Sequence, residues 1–524
     1  MLSRVALALA VLASALSAGC AQAPQVRRDV VIGLVGEPLT ALGEDPSARI
    51  VRGAITESLV RRDRDGAFVP RLAVAVPTLA NGGLRVEEDA RTLVVQLTAT
   101  FEIRGDARWQ DGVPVSAADV LLAHAEDRAA PPGTERRWMA DRIERIEALG
   151  ARLVRVVYRA GERWEQYALG PHVLPAHLLA GATADARAAY AHEPMHAGPF
   201  AIAAWVRGFG VTLAAFRDYV GGAPRLGRIE IRFFRDPGSL ADALLRGDVD
   251  VVPSPSFDLD MIATLERLTD RERLLAQYTP AMSVEMLRIG RRGVLADASV
   301  RRAMLLALDR GGVVDALFGG RALVPRSYLT APQPAAREVL PAARLDREGA
   351  SALLASAGFS RGALGVLERG PERMAMTLLA GGSPARIEAG QRLVGDLSVI
   401  GVAVTLVEQA PEAVEAAVAA GDFDLALLPE AGDDPQRASE RYRGWVDPWF
   451  DLLLSAAARS PEGDRAAAYT ELQRLWAEAL PGIPIYQTLR VDVAPRALNG
   501  VQPVPHGDPL TWNIADWSFA PEVN

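Results

Sequence analysis

The sequence predicts a mixed α/β protein of at least two domains, and three observations carry that prediction. Its 524 residues exceed the size at which one hydrophobic core keeps growing. Short period-two segments interleave with helical ones, without internal repeats or a low-complexity linker, which favours mixed layers joined by strands rather than by a loose tether. With 49% apolar and 23% charged residues, the composition is that of a globular protein.

The elements follow in order. Residues 1–20 read as a targeting segment: MLSR supplies a positive start, and the apolar run Val5 to Leu16 is too short to span a bilayer but fits a signal-peptide core. The only cysteine follows in LSAGC, Leu16 to Cys20. Small residues just before a lone cysteine resemble a bacterial lipobox, which implies lipidation of Cys20. The alternative is secretory cleavage after Ala21-Gln22-Ala23, which would leave Pro24 after the cut. Either route exports the protein, and a single cysteine excludes an internal disulfide. No later segment is long and apolar enough to cross a membrane.

Val30, Val31, Ile32 and Leu34 form a first strand, ended by the turn Gly36-Glu37-Pro38. Asp63 to Gly66 is a surface turn, followed by an extended segment to Pro77. From Leu93 to Ile103 apolar and polar residues alternate, the signature of a half-buried strand. Then comes RWQDGVPVSAADVLLAH, residues 108 to 124. Asp111-Gly112 makes a turn because glycine tolerates positive φ and aspartate bonds its own backbone. Pro114 holds Val113 extended. Ser116 and Asp119 have capping-box spacing, with the carboxylate in the positive first turn of the next helix. Residues 152–158 and 229–234 read as strands, and residues 298–308 as a helix. A helix over 386–398 stops near Gly401 and feeds a strand over 402–407; a strand over 422–428 and a helix over 464–480 follow.

Several function classes drop out. The net charge is −8, and no arginine cluster is dense or aromatic-interleaved enough for a nucleic-acid groove. Every cation is arginine, a coding bias without functional content. HEPMH, His192 to His196, literally satisfies the zinc-protease pattern, but Pro194 breaks the helix that would align its histidines. A solvated loop holding His172 to His196, at most with an adventitious metal, is expected instead. No nucleophile elbow, phosphate loop or dinucleotide fingerprint appears. The nine tryptophans are scattered, as core or cleft wall. The remaining class is a binder.

Short motifs in a fixed order then become specific. WQDGVPVSAADV (Trp109 to Val120), ESLVRRDRDGAFVPRLA (Glu57 to Ala73), VLPAHLL (Val173 to Leu179), AGPFAIAAW (Ala197 to Trp205) and ALLRGDVDVV (Ala243 to Val252) are joined by DASVRRAMLLALDRGGVV (Asp297 to Val314), LLASAGF (Leu353 to Phe359), GDFDLAL (Gly421 to Leu427) and PGIPIY (Pro481 to Tyr486). Together they resemble the family 5 extracellular solute-binding proteins, the peptide/nickel type that serve ABC importers. The resemblance implies a two-lobed, type II periplasmic-binding-protein-like α/β fold with the extra subdomain of peptide-binding members. After the targeting segment 1–20, lobe I takes residues 21–56, 170–277 and 490–524, its extra subdomain 57–169, and lobe II 278–489. The chain crosses between lobes near Gln277 to Met282 and near Gln487 to Val493.

The implied function is capture of a solute, short peptides first, for an ABC permease. The implied receptor is a monomer outside the cytoplasm, with no catalysis, cofactor, metal or nucleic acid. The alternatives are a transport-independent sensor or partner-docking protein on the same fold and, remotely, a metal-dependent hydrolase. Peptide-binding relatives hold the ligand ammonium with an aspartate after the GDFDLAL strand, which places Asp433 or Asp434 at that position. The tryptophan expected beside it is missing, with Glu430 or a neighbour in its place. Trp445 and Trp449 stand in as an aromatic wall or are buried. Family position adds Tyr486, on the returning crossing, and Glu37, beyond the first strand.

Overall fold

The computed structural model describes residues 27–88, 95–131, 134–160, 167, 170–257, 259–268, 273–432, 434–458, 460 and 462–520. Cys20 and Asp433 lie outside the described residues.

Lobe I is built on a four-stranded sheet. Asp29–Val35 pairs in parallel with Arg228–Phe234, and the antiparallel strands Gly210–Ala215 and Phe200–Val206 extend it. Ile32, Ile229 and Ile231 are fully buried beneath the helix Pro46–Ile55 and beside Trp517 from the C-terminal segment. That helix starts as its sequence dictates, with Asp45 accepting the Ala48 amide and Pro46 in the first turn. Where it ends, Gly198 of the AGPF motif donates to the Ile55 carbonyl. A Cβ there would lie 2.3 Å from that carbonyl, so only glycine permits the approach.

The extra subdomain carries an antiparallel sheet in the order Leu84–Glu88, Val95–Glu102, Leu153–Tyr158, Ile143–Ala148. The alternation read from the sequence emerges as buried Val95, Leu97, Ala99 and Phe101. The turn after it forms as expected: Gly112 has φ 88°, and the Asp111 carboxylate accepts the Val113 amide. The helix that follows, Ala117–Ala129, begins with a capping box. Asp119 is 2% exposed and collects the Ser116 amide at 2.7 Å, the Trp109 indole at 3.2 Å and the Ala176 amide at 2.7 Å. One carboxylate thus ties the turn, the helix and the VLPAH segment together.

Lobe II is a five-stranded sheet in the order Ala403–Glu408, Ala375–Ala380, Leu425–Ala431, Leu274–Ile289, Gly482–Pro495. The first three are parallel and are covered by helices such as Pro384–Val399 and Ala298–Ala307, in the largest core of the molecule. The strand expected over 422–428 runs instead from Leu425 to Ala431. Its start is delayed because Asp424 accepts the Thr377 amide, and it is prolonged because Ser283 to Ile289 pair it to the end.

Two long antiparallel strands, Leu274–Ile289 and Gly482–Pro495, belong to both lobes. Val491 and Val493, with Leu274, Ala276 and Tyr278 against them, pack in a core beside the lobe I sheet. Val284, Met286, Leu287, Ile483 and Ile485 pack in lobe II. Their pairing slips between Pro280 and Val284. Among the described residues these two strands carry most of the backbone ladder that joins the lobes, and the register shift lies at the crossing.

Candidate functional site

The strand directions converge on that slip. In lobe II, Leu425–Ala431 starts opposite Ile289 and ends opposite Ser283, so the carboxyl ends of all three parallel strands face the crossing. In lobe I, Ile32 bridges Val251 in parallel, and Val252 bridges Val493 antiparallel, so the first strand also runs toward the crossing. Open α/β sheets bind ligands at strand carboxyl ends, and here two such faces look into one gap. On the lobe I side a cavity of about 520 Å³ is lined by Gly36, Glu37, Pro237 and Ser254. On the lobe II side one of about 740 Å³ is lined by Gly381, Ser383, Glu408 and Gln409, beside the start of the helix Pro384–Val399. A third, of about 390 Å³, lies between the helix Pro46–Ile55, the extra subdomain and the turn Asp508 to Trp512.

Side chains reach across the gap. The Arg437 guanidinium, on the lobe II helix Pro435–Glu440, sits 5.2 Å from the ring centre of Trp138 in the extra subdomain. Arg321 of lobe II pairs with Glu266 at 3.2 Å and lies over the Tyr278 ring.

The sequence-derived site residues are distributed as follows. Asp434 caps the helix Pro435–Glu440, accepting the Arg437 amide at 3.1 Å, and is 7% exposed. Glu37 stands at the carboxyl end of the first strand. Its carboxylate accepts from the Trp205 indole, the Gly208 amide and Arg207. Burial opposes its charge, but those donors hold its pKa below the ordinary carboxylate range. Trp445 is half-buried, with the guanidinium groups of Arg291 and Arg301 at 5.5 and 5.2 Å from its ring centre. Trp449 is not buried: it is 57% exposed on the outer face of the helix Pro448–Ala457. Tyr486 is buried in the lobe II core, its ring 4.6 Å from Phe318. Burial, with the Glu285 carboxylate beside it, raises its hydroxyl pKa. The structure therefore brings Asp434 and Glu37 to the two sides of the gap and sets Tyr486 behind the lobe II wall.

Glu430, at the position of the missing tryptophan, is a core residue. Arg288 donates to it at 2.8 Å and the Tyr442 hydroxyl at 2.6 Å, all three nearly or fully buried. The counter-charge and the extra donor are what permit a carboxylate there. Arg288 lies 142 positions away in sequence, so no local pattern announces the pair.

The stretch His172 to His196 is not a solvated loop. The helix Ala184–His192 ends before Pro194, so the two histidines of HEPMH diverge. His192 stacks on Trp205 with ring centres 4.5 Å apart. His196 is 4% exposed, edge-on to Trp109 at 5.2 Å, and its Nδ1 accepts the Ala197 amide at 2.9 Å. Burial pushes its pKa down to about 3. His172 and His196 line the third cavity, as does His124, which no sequence motif singled out. Asp119 holds the segment of His172 there through the Ala176 amide, and Gln110 holds that of His196 by accepting its amide, contacts the sequence alone did not reveal. Among the described residues, no three His, Cys, Asp or Glu side chains are grouped to hold a metal ion, and no helix is long and apolar enough to cross a membrane.

The family model described as "Bacterial extracellular solute-binding proteins, family 5 Middle" matches residues 75–448. The chain is 24% identical to the di/tripeptide-binding protein 2 of Pseudomonas aeruginosa over 482 residues, covering 84% of this chain and 86% of that one. It is 26% identical to protein XP55 of Streptomyces lividans over 472 residues, covering 86% and 82%. Among solved structures, the oligopeptide-binding protein of Thermus thermophilus with a pentapeptide superposes with a TM-score of 0.71 at 22% identity, covering 94% of this chain and 96% of that one. NikA of Brucella suis with Fe(III)-EDTA superposes with a TM-score of 0.76 at 19% identity, covering 94% and 100%. These superpositions share the two-lobed fold. Matched through its whole middle and folded around a gap bounded by two sets of strand ends, the chain belongs to the bacterial extracellular solute-binding proteins of family 5, receptors rather than enzymes.

Proposed function

We propose that the protein captures short peptides between its lobes outside the cytoplasm and delivers them to the permease of an ABC importer. The observation that carries this reading is the convergence of the strand carboxyl ends of both lobes on a gap crossed by two long strands. Relatives named for di/tripeptide and D,D-dipeptide binding support the ligand class. Closure by bending at the slip around Pro280 to Val284 follows the usual hinge logic, in which a ligand shifts the population only by its differential affinity for the closed form. Asp433 and Asp434 on the lobe II rim and Glu37 on the lobe I rim are the polar groups proposed to meet the peptide. Trp445 is assigned as wall, and Tyr486 as support behind it. Cys20 is proposed to carry the lipid that keeps the receptor at the membrane surface, with lobe I formed by residues 21–56, 170–277 and 490–524.

A thermal-shift screen against di-, tri- and oligopeptides tests the reading. A peptide present at one hundred times its dissociation constant should add about 2.7 kcal/mol of stability. No shift with any peptide, alongside a shift with a sugar or a metal chelate, would reassign the cargo.

A further inference from the structure

The lobe I cavity of about 520 Å³ lies where three extended segments end together. Val35 closes the first strand, Pro237 follows the end of Arg228–Phe234, and Ser254 follows Val251, which bridges Ile32 in parallel. All three of these residues line the cavity. Its wall is fastened to the crossing between the lobes: Val252 bridges Val493, and the Ser254 amide donates to Asp492 at 2.9 Å. Both partners belong to the strand Gly482–Pro495. The cavity therefore adjoins the gap, on the face where open α/β sheets take ligands.

Its lining is mostly apolar. Leu34, Val35, Ile50, Pro46, Pro237 and Pro255 surround it, and Leu39, 84% exposed, adds an apolar lip on the solvent side. The acidic groups of the wall are already engaged. Glu37 accepts from the Trp205 indole, the Gly208 amide and Arg207, and Asp45 accepts the Ala48 amide. The Ser47 hydroxyl donates to the Val35 carbonyl. Two helices begin here, Pro46–Ile55 and Pro237–Arg246, but each has a proline in its first turn and an aspartate cap. Neither offers an uncovered positive end to an anion. Among the described residues no arginine or histidine lines the cavity, so an acidic side chain would find no counter-charge there. A space of this size, within the roughly 300–1,000 Å³ of ligand pockets, accepts a leucine or phenylalanine side chain whole. Such a wall gains by taking apolar surface out of water and gives nothing back to a desolvated charge.

We propose that this cavity is a specificity pocket for one large apolar side chain of the captured peptide, with Leu39 as its lip. The pocket rests on the peptide-receptor reading and complements it. The lobe II rim after the strand Leu425–Ala431 meets the ammonium, and lobe I reads a side chain.

Isothermal titration of the full receptor with tripeptides tests the pocket. The probes are tri-alanine and its single leucine, lysine and glutamate replacements at each position. Leucine at one position should tighten binding about tenfold or more over tri-alanine, the gain expected from burying one such side chain. Lysine and glutamate at that position should gain nothing. Leu39→Asp, whose parent side chain is too exposed to support the fold, should cut the leucine advantage to about threefold or less. Ser256→Phe, which fills the cavity from its own wall, should do the same. Peptide binding without a leucine preference at any position, or with a preference for lysine, would overturn the pocket while peptide capture stands. A leucine preference untouched by both variants would seat the side chain elsewhere and overturn it as well. No binding of any tripeptide would overturn both the capture of short peptides and this pocket.

Discussion

His196 shows how a single residue links burial to pH. The unfolded imidazole takes a proton near its ordinary value of about 6.5, whereas in the fold burial holds the pKa to about 3. Between those values the unfolded chain binds a proton that the folded chain refuses, so stability falls as the pH falls through that window. The loss between pH 7 and pH 5 should be roughly 2 kcal/mol, at about 1.4 kcal/mol per pH unit. Denaturant melts at the two pH values test it against His196→Asn, whose amide oxygen can still accept the Ala197 amide. The variant's pH dependence should be shallower by that amount, and parallel curves would show that the imidazole ionises inside the fold. The sequence offered HEPMH as a metal motif and Pro194 as the reason to reject it. It offered nothing to say that His196 would be driven against Trp109, 87 positions earlier.

At the scale of elements, the turn and helix of residues 108 to 124 show what local chemistry can specify. The positive-φ glycine, the aspartate bonding its own backbone and the Ser-x-x-Asp cap were all legible, because each acts within four residues. The same Asp119 also accepts the Ala176 amide, 57 positions away, and that was not legible. Asp119→Ala would strip the cap and leave a buried indole and two amides without an acceptor. A loss of roughly 3 kcal/mol is expected, read as an earlier first transition in urea, since a chain of several cores need not unfold in one step. A midpoint unchanged from that of the parent would remove Asp119 from its place as the hub. The strand 425–431 makes the complementary point. Its residues had strand character three positions earlier, but pairing with Ser283 to Ile289 set its bounds.

At the scale of the molecule, binding depends on closure, and closure rests on few contacts. Arg437 over Trp138 is one of them. A partly exposed cation–π contact is worth about 0.5–1 kcal/mol, so Arg437→Ala should weaken binding of a saturating peptide by roughly two- to fivefold if the contact belongs to the closed state. X-ray scattering of the unaltered receptor should show a smaller radius of gyration with peptide than without. Superimposable curves, empty and loaded, would end the hinge account. The sequence by itself determined the alternation of strands and helices, their caps and turns, and an order of motifs found in family 5, because each of these is written within a few neighbouring residues. Only the tertiary structure decided that Glu430 pairs with Arg288 inside the core, that Tyr486 stands behind the cleft wall, and that Asp127 and His172 meet beside a cavity. Those outcomes turn on partners tens to hundreds of positions apart, and burial and pairing act on them only once folding has brought them together.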